Sequence, residues 1–351
     1  MPPTPSVLAG DAAISLEFPF PELPAPATWT EVADGVRWVR MPLPFALDHI
    51  NLWLLRGPNG WTLVDTGLGN AATRALWDTL LPHHTPLEQL VVTHYHPDHF
   101  GQAGWFVREF GLPLLMTEAE YLTAHAVYEN TSGYSPSMLR EVFGAHGLPE
   151  ETLAALEARP SGYRNIVAEP PRQFRRMTHG DVIRLGDHEW RVIIGYGHAP
   201  EHASLYCEAL RVVISGDMLL PKISTNVSVW STEPEGDPVR QFLTSIRAYL
   251  DLPADTLVLP SHGLPFRGIA PRVAQLANHH EERLAELRAA CAVPRTAAEI
   301  VPVLFRRQLD VHQMFFAVGE AIAHLNHLMH RGVLERTLGP DGVYRFADIQ
   351  H

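Results

Sequence analysis

The chain has 351 residues, with 27 Lys+Arg against 39 Asp+Glu and a formal net charge of −12 when histidine is neutral. That acidity argues against a broad surface for nucleic acid or anionic membrane, and two cysteines, Cys207 and Cys291, exclude a disulfide scaffold or a cysteine-rich zinc module. The oddity is 20 histidines, so any bound metal must be held by nitrogen and oxygen.

Residues 1–30, with Pro19, Pro21, Pro24 and Pro26, read as a Pro-rich N-terminal arm. Short β-rich runs at 36–40, 50–55 and 61–64, punctuated by Gly, Pro and Asn, predict the antiparallel edge of a sheet. A helix is expected over 71–81, stopped at Pro82, and an apolar strand over 87–93 leads into a polar loop. A helix over 102–110 and a strand over 112–116 follow. The stretch 117–180 reads as a lid-like helical insert, broken at Thr131-Ser132-Gly133 and Gly144 and rich in aromatics such as Tyr121, Tyr134 and Tyr163. Strands at 181–185, 189–194, 203–207 and 211–215 form a meander, followed by a helix over 238–250, a strand over 256–259 and a long helix over 271–290. Beyond Pro294, helices at 297–309 and 313–331 precede a hairpin through Gly339-Pro340-Asp341-Gly342. This order predicts an α/β body in which sheets are covered by helices. No apolar run approaches ~18 residues, and Met1-Pro2-Pro3 opens no secretory signal, so a cytoplasmic protein is expected.

The chemistry concentrates in Thr93-His94-Tyr95-His96-Pro97-Asp98-His99, where four ligand-type side chains fall within six residues of a strand end. On extended backbone His94 and His96 project the same way, and a turn at Pro97 lets Asp98 and His99 face a second centre. One loop cannot close two sites. Further candidates follow later apolar runs: His198 and His202 in Gly197-His198-Ala199-Pro200-Glu201-His202, Asp217 in Gly216-Asp217, and His262 in Ser261-His262-Gly263. The glycines beside them let backbone and metal approach closely. His324, His327 and His330, spaced i, i+3 and i+6, read instead as a hydrogen-bonded helix face, and at most one of His279 and His280 can reach the site.

The ordered set His94, His96, Asp98, His99, His198, Asp217 and His262, with the earlier Val64-Asp65-Thr66-Gly67, resembles the metallo-β-lactamase-fold hydrolases over residues 31–290. The resemblance implies a four-layer αβ/βα sandwich for a catalytic domain over 31–292. It implies one metal on His94, His96 and His198, a second on Asp98, His99 and His262, and Asp217 bridging them. Asp65 is then expected behind a ligand histidine, fixing its tautomer. Two divalent ions, zinc in preference to manganese or iron, follow from imidazole and carboxylate ligation. They imply hydrolysis by a bridging hydroxide, with Asp98 orienting the nucleophile and carrying its proton. Tyr196, two residues before His198, is a candidate oxyanion donor, and His202 a candidate catalytic residue through its likeness to the glyoxalase II motif, although Glu201 replaces that motif's second glycine.

The resemblance fixes hydrolysis better than substrate. An acyl thioester or lactone is the expected small-molecule substrate, with phosphodiester or β-lactam cleavage as alternatives on the same site. Residues 293–351 resemble the small winged-helix-like domain of one branch of the superfamily. Their six arginines and six acids leave no basic recognition helix. No nucleic-acid or membrane partner is therefore expected, and packing on the catalytic body or in a homodimer is preferred. A nucleic-acid-binding or regulatory protein with a metal-sensing site is the non-enzyme alternative.

Overall fold

The first sheet begins with four strands whose β-branched and aromatic residues pair antiparallel: β1 (Trp29–Ala33), β2 (Val36–Pro42), β3 (His49–Arg56) and β4 (Trp61–Val64). Three parallel strands extend it, β5 (Leu87–Val91), β6 (Leu114–Met116) and β7 (Arg175–Arg176), so the seven strands lie in chain order. The second sheet contains β8 (Val182–Leu185), β9 (His188–Gly195), β10 (His202–Cys207), β11 (Val212–Gly216) and β12 (Leu257–Pro260), in the order β12-β11-β10-β9-β8. Only β11 and β12 pair parallel there. A hairpin of β13 (Leu334–Leu338) and β14 (Tyr344–Asp348) stands apart near the C-terminus. The computed structural model describes residues 16–45, 47–81, 85–157 and 162–350.

Three cores hold these layers together. Between the sheets, Trp38, Trp53 and Leu55 meet Trp190, Val192, Leu205 and Ile214. The buried indole of Trp38 donates to Asn51 Oδ1 at 2.8 Å, so the tryptophan leaves no polar group stranded. Helices Ala71–Leu80 and Ala103–Phe110 cover the outer face of the first sheet through Trp77 and Phe106. Helices Pro238–Ser245 and Ile269–Ala290 cover the second sheet through Phe242 and Leu276. The result is an α/β sandwich of two mixed sheets with helices outside both. Burying side chains of this kind contributes about 1.5–3 kcal/mol each.

The C-terminal helices Ala297–Leu304 and Val311–His330 enter that last core rather than forming one of their own: Val318, Ile322 and Leu325 share it with Phe242 and Val258. The segment is a small helical module with a β-hairpin, packed on the body. His324, His327 and His330 are hydrogen-bonded. His324 Nε2 lies 3.0 Å from His280 Nδ1, and His327 Nδ1 lies 2.9 Å from Asp237. His330 Nε2 reaches the Glu235 carbonyl at 2.9 Å.

The predicted elements differ from the observed ones mainly at their ends. Strand β1 starts at Trp29, inside the stretch read as arm, because Trp29 pairs with Val39 and carries the Arg37 guanidinium 3.5 Å over its ring. Residues 1–15 of that arm lie outside the described residues. From Leu16 the chain packs on the body, and Glu17 exchanges two backbone hydrogen bonds with Arg267. Gly144 does not break its helix, Pro136–Ala145, but sits in the final turn. Among the described residues no helix is long and apolar enough to cross a membrane.

The topology also decides where loops converge. Strands β4 and β5 run parallel, and β9 runs in the same sense as β11 and β12 because two antiparallel steps through β10 restore direction. The C-terminal ends of these five strands therefore open on one edge of the sandwich. The edge is tied across the sheets by Ala203 N–H to the Thr93 carbonyl (2.9 Å) and Asn51 N–H to the Ser261 carbonyl (2.7 Å).

Candidate metal centre

Each loop at that edge delivers ligand atoms. After β5 a five-residue loop carrying His94 and His96 leads into the short helix Pro97–Phe100, with proline in the first turn where its missing N–H costs nothing. His94 Nε2 lies 3.0 Å from His96 Nδ1 and 3.3 Å from His198 Nε2, and His198 Nε2 lies 3.3 Å from Asp217 Oδ2. Beside this group, Asp98 Oδ2 lies 3.8 Å from His99 Nε2 and 3.5 Å from His262 Nε2. Asp217 Oδ1 is 3.5 Å from both of those nitrogens. Two clusters result, His94–His96–His198–Asp217 and Asp98–His99–His262, with the two oxygens of Asp217 turned to different clusters.

The spacing fits cations. Bonds of about 2.0–2.1 Å in a tetrahedron place neighbouring ligand atoms about 3.3 Å apart, and the observed separations fall around that value. His99 Nε2 and Asp217 Oδ1 are buried, stand too far apart for a sound hydrogen bond, and have no other partner. Leaving such groups unsatisfied costs about 1–3 kcal/mol each, a cost that a cation between them removes. The carboxylates make the second cluster a site for positive charge: burial alone would lower the pKa of His99, but Asp65, Asp98 and Asp217 outweigh it and hold it well above the ordinary value, so a bound cation would have to displace a proton from that ring. Against burial, His262 and His99 hold the Asp217 carboxyl well below the usual carboxylate range. Burial and the neighbouring imidazoles push His94 well down, and burial with His198 does the same to His96, as neutral ligands require.

The far nitrogens of four rings are pinned. His99 Nδ1 donates to Asp65 Oδ2 at 2.8 Å, and His94 Nδ1 lies 3.0 Å from Thr93 Oγ1, which donates to the same Asp65 oxygen at 2.9 Å. Thr93 N–H donates to Asp65 Oδ1 at 2.8 Å. Asp65 itself adopts a left-handed backbone, φ +61°, which the three hydrogen bonds hold in place. His198 Nδ1 donates to the Asn226 carbonyl at 2.8 Å and His262 Nδ1 to the His49 carbonyl at 2.7 Å. A carbonyl only accepts, so Nδ1 must carry the proton and Nε2 presents its lone pair to the cluster. His96, whose buried Nε2 has no partner, is the exception.

Two candidate catalytic residues are not brought into either cluster. Tyr196 is 43% exposed, and its polar contact is a backbone one, from its N–H to Ser245 Oγ. The adjacent Gly197 takes φ +99° and lies against Pro238 and Phe242, and the Tyr196 side chain stays at the surface. His202 is fully buried behind Asp217, and its Nε2 accepts the Asp217 N–H at 3.1 Å. Burial pushes the His202 pKa down to about 3, so it remains a neutral acceptor. It fixes the backbone of Asp217. The room beside Gly216 goes to this ring rather than to metal: a Cβ there would sit 2.2 Å from His202 Nε2.

Sequence reasoning misses Glu120, which sits near the start of helix Glu118–Tyr128 and reads there as an ordinary acid of a first turn. Its buried carboxylate accepts Tyr95 N–H at 2.9 Å and Glu201 N–H at 2.7 Å, clamping the loops that carry His94, His96 and His198. Burial pushes its pKa up to about 7. His49 is missed as well. Its Nε2 accepts Gly263 N–H at 2.8 Å, bracing the other side of His262. Beside His198 opens a cleft of about 100 Å³ lined by Tyr95, Tyr134 and Trp230 among others, so the 117–180 insert contributes to its wall.

Comparison with known proteins gives the same picture. Residues 46–262 match the model of the metallo-beta-lactamase superfamily, and residues 284–349 match that of the metallo-beta-lactamase-like C-terminal domain. The chain is similar to a beta-lactamase domain protein from Burkholderia ambifaria of known structure, at 47% identity and a TM-score of 0.89 over 95% of this chain and 98% of that one. A metallo-beta-lactamase family protein from Thermus thermophilus is 31% identical with a TM-score of 0.78, over 91% of this chain and all of that one. Among curated relatives, the probable metallo-hydrolase YqjP of Bacillus subtilis is 25% identical over 84% of this chain and 92% of its own length. The acyl-coenzyme A thioesterase MBLAC2 of Bos taurus is 26% identical over 54% of this chain and 64% of its own length.

Proposed function

Because the chain belongs to the metallo-beta-lactamase superfamily, we propose that it is a dinuclear metal-dependent hydrolase of an ester-like bond, a thioester or a lactone. The observation that carries this reading is Asp217, one carboxylate shared by two nitrogen-and-oxygen clusters, of which His198 lines an aromatic cleft. Zinc is the ion the donor set favours. His94, His96 and His198 would hold one ion and Asp98, His99 and His262 the other, and the pair supplies hydroxide at neutral pH and a Lewis acid for the scissile carbonyl.

The chain's own residues do the rest. Asp98, at 18% side-chain exposure the more open of the two ligand carboxylates, orients the attacking water and carries its proton to the leaving group. Asp65 and Thr93 keep His99 and His94 in the tautomer that ligation needs. Tyr95, Tyr134 and Trp230 exclude water from the cleft and suit an apolar acyl chain or ring. The thioesterase relative supports the thioester option. A panel of acyl thioesters, acyl-homoserine lactones, β-lactams and bis-p-nitrophenyl phosphate tests the reading on metal-reconstituted protein. Thioester or lactone turnover near kcat/KM ~10⁴ M⁻¹s⁻¹ or above, abolished by chelation, is expected. Turnover confined to the phosphodiester or the β-lactams would overturn it.

A further inference from the structure

The helix Val311–His330 does more than bury an apolar face. A series of contacts fastens it to the loop that follows Asp217. Glu320 Oε2 accepts from Asn226 Nδ2 at 3.0 Å, and Val229 N–H donates to the Gly319 carbonyl at 3.0 Å. Asn326 Nδ2 donates to the carbonyls of Pro234 and Gly236 at 2.9 and 3.0 Å. His327 holds Asp237 at 2.9 Å, and the Phe315 ring lies 5.6 Å from Trp230, which also neighbours Tyr95 and His96.

One of these contacts leads directly to a ligand. The Asn226 side chain is held at both ends, its amide nitrogen by Glu320 and its oxygen by Ser228 Oγ at 2.8 Å. The Asn226 backbone carbonyl is the group that accepts the His198 Nδ1 proton. We propose that Glu320 and Asn226 form a positioning relay by which the C-terminal helix fixes the tautomer and orientation of the metal ligand His198. The relay rests on the reading of His94, His96, His198 and Asp217 as one metal site. It reaches that cluster and not the other: His262 is held by the His49 carbonyl and His99 by Asp65, and among the described residues neither is hydrogen-bonded to the C-terminal helix.

The asymmetry makes the relay testable. Metal-free full-length protein is titrated with zinc in competition with a chromogenic chelator, so that two affinities are measured for each variant. Glu320→Ala removes the acceptor for Asn226 and is expected to weaken one of the two sites 10–100-fold while the other keeps its affinity. Glu320→Gln retains an oxygen that can accept the Asn226 amide, and is expected to restore the wild-type value. His330→Ala, on the same helix but exposed and, among the described residues, hydrogen-bonded to the Glu235 carbonyl, should leave both affinities unchanged. The site weakened in Glu320→Ala must be the one weakened in His198→Ala. Unchanged affinities, or equal loss at both sites with a lowered melting temperature that Glu320→Gln fails to rescue, would overturn the relay. A wild-type chain that takes up no zinc would instead overturn the metal-site reading, and the relay with it.

Discussion

Replacing Asp217 with alanine is expected to empty both metal clusters. Its Oδ2 stands 3.3 Å from His198 and its Oδ1 3.5 Å from both His99 and His262, so one side chain supplies negative charge to each centre. Without it the two clusters lose their common link and each is one ligand short. Metal content is expected to fall below one ion per chain, and hydrolysis by more than about 10³-fold, roughly 4 kcal/mol of transition-state stabilisation. Elemental analysis of the purified variant checks the first and steady-state kinetics the second. Two retained ions would remove the bridging role from Asp217. His202 should be unaffected as a fold element, because its partner is the Asp217 backbone N–H, which alanine keeps.

Asp65→Asn should be nearly as damaging to metal binding while leaving the fold standing. Asn tolerates the left-handed backbone at φ +61°, so strain is not the issue. The amide oxygen can still take the Thr93 N–H that Oδ1 accepts at 2.8 Å, but the amide nitrogen then faces His99 Nδ1, where Oδ2 now accepts. A donor in that place drives the ring proton to Nε2 and removes the lone pair aimed at the cluster. Zinc affinity at the Asp98–His99–His262 site is expected to drop 10–100-fold or more, measured by chelator competition. Asp65→Ala instead strands the buried Thr93 N–H, at a cost of about 1–3 kcal/mol, which thermal unfolding reads. Wild-type zinc affinity in Asp65→Asn would show that Asp65 does not set the His99 tautomer.

The two clusters of candidate ligands are legible in the sequence because each member follows an apolar run, and the parallel pairs β4–β5 and β11–β12 carry strand ends to one edge. Asp65 is legible for the same reason. What lies beyond reach is every bond that spans the fold. Glu320 meets Asn226 across 94 positions, His49 meets Gly263 across 214, and Glu120 meets Glu201 across 81, none with a local pattern to announce it. Local spacing also misleads in one place. Tyr196 stands two residues before His198, but its side chain is exposed and is not among those lining the cleft beside His198. Glycine beside a candidate ligand suggests room for metal, whereas at Gly216 the space belongs to the His202 ring. The small C-terminal domain and its packing on the body are legible in the sequence, but not that its helix shares the core of the second sheet and ties down the loop after Asp217.

The most direct test of two-metal hydrolysis is a stoichiometric zinc titration of metal-free protein with turnover of an acyl thioester or acyl-homoserine lactone followed in parallel. Two equivalents bound per chain, with activity appearing as the sites fill and disappearing on chelation while circular dichroism holds, is the predicted result. Saturation at one equivalent or none, or hydrolysis that survives complete removal of metal, would contradict it.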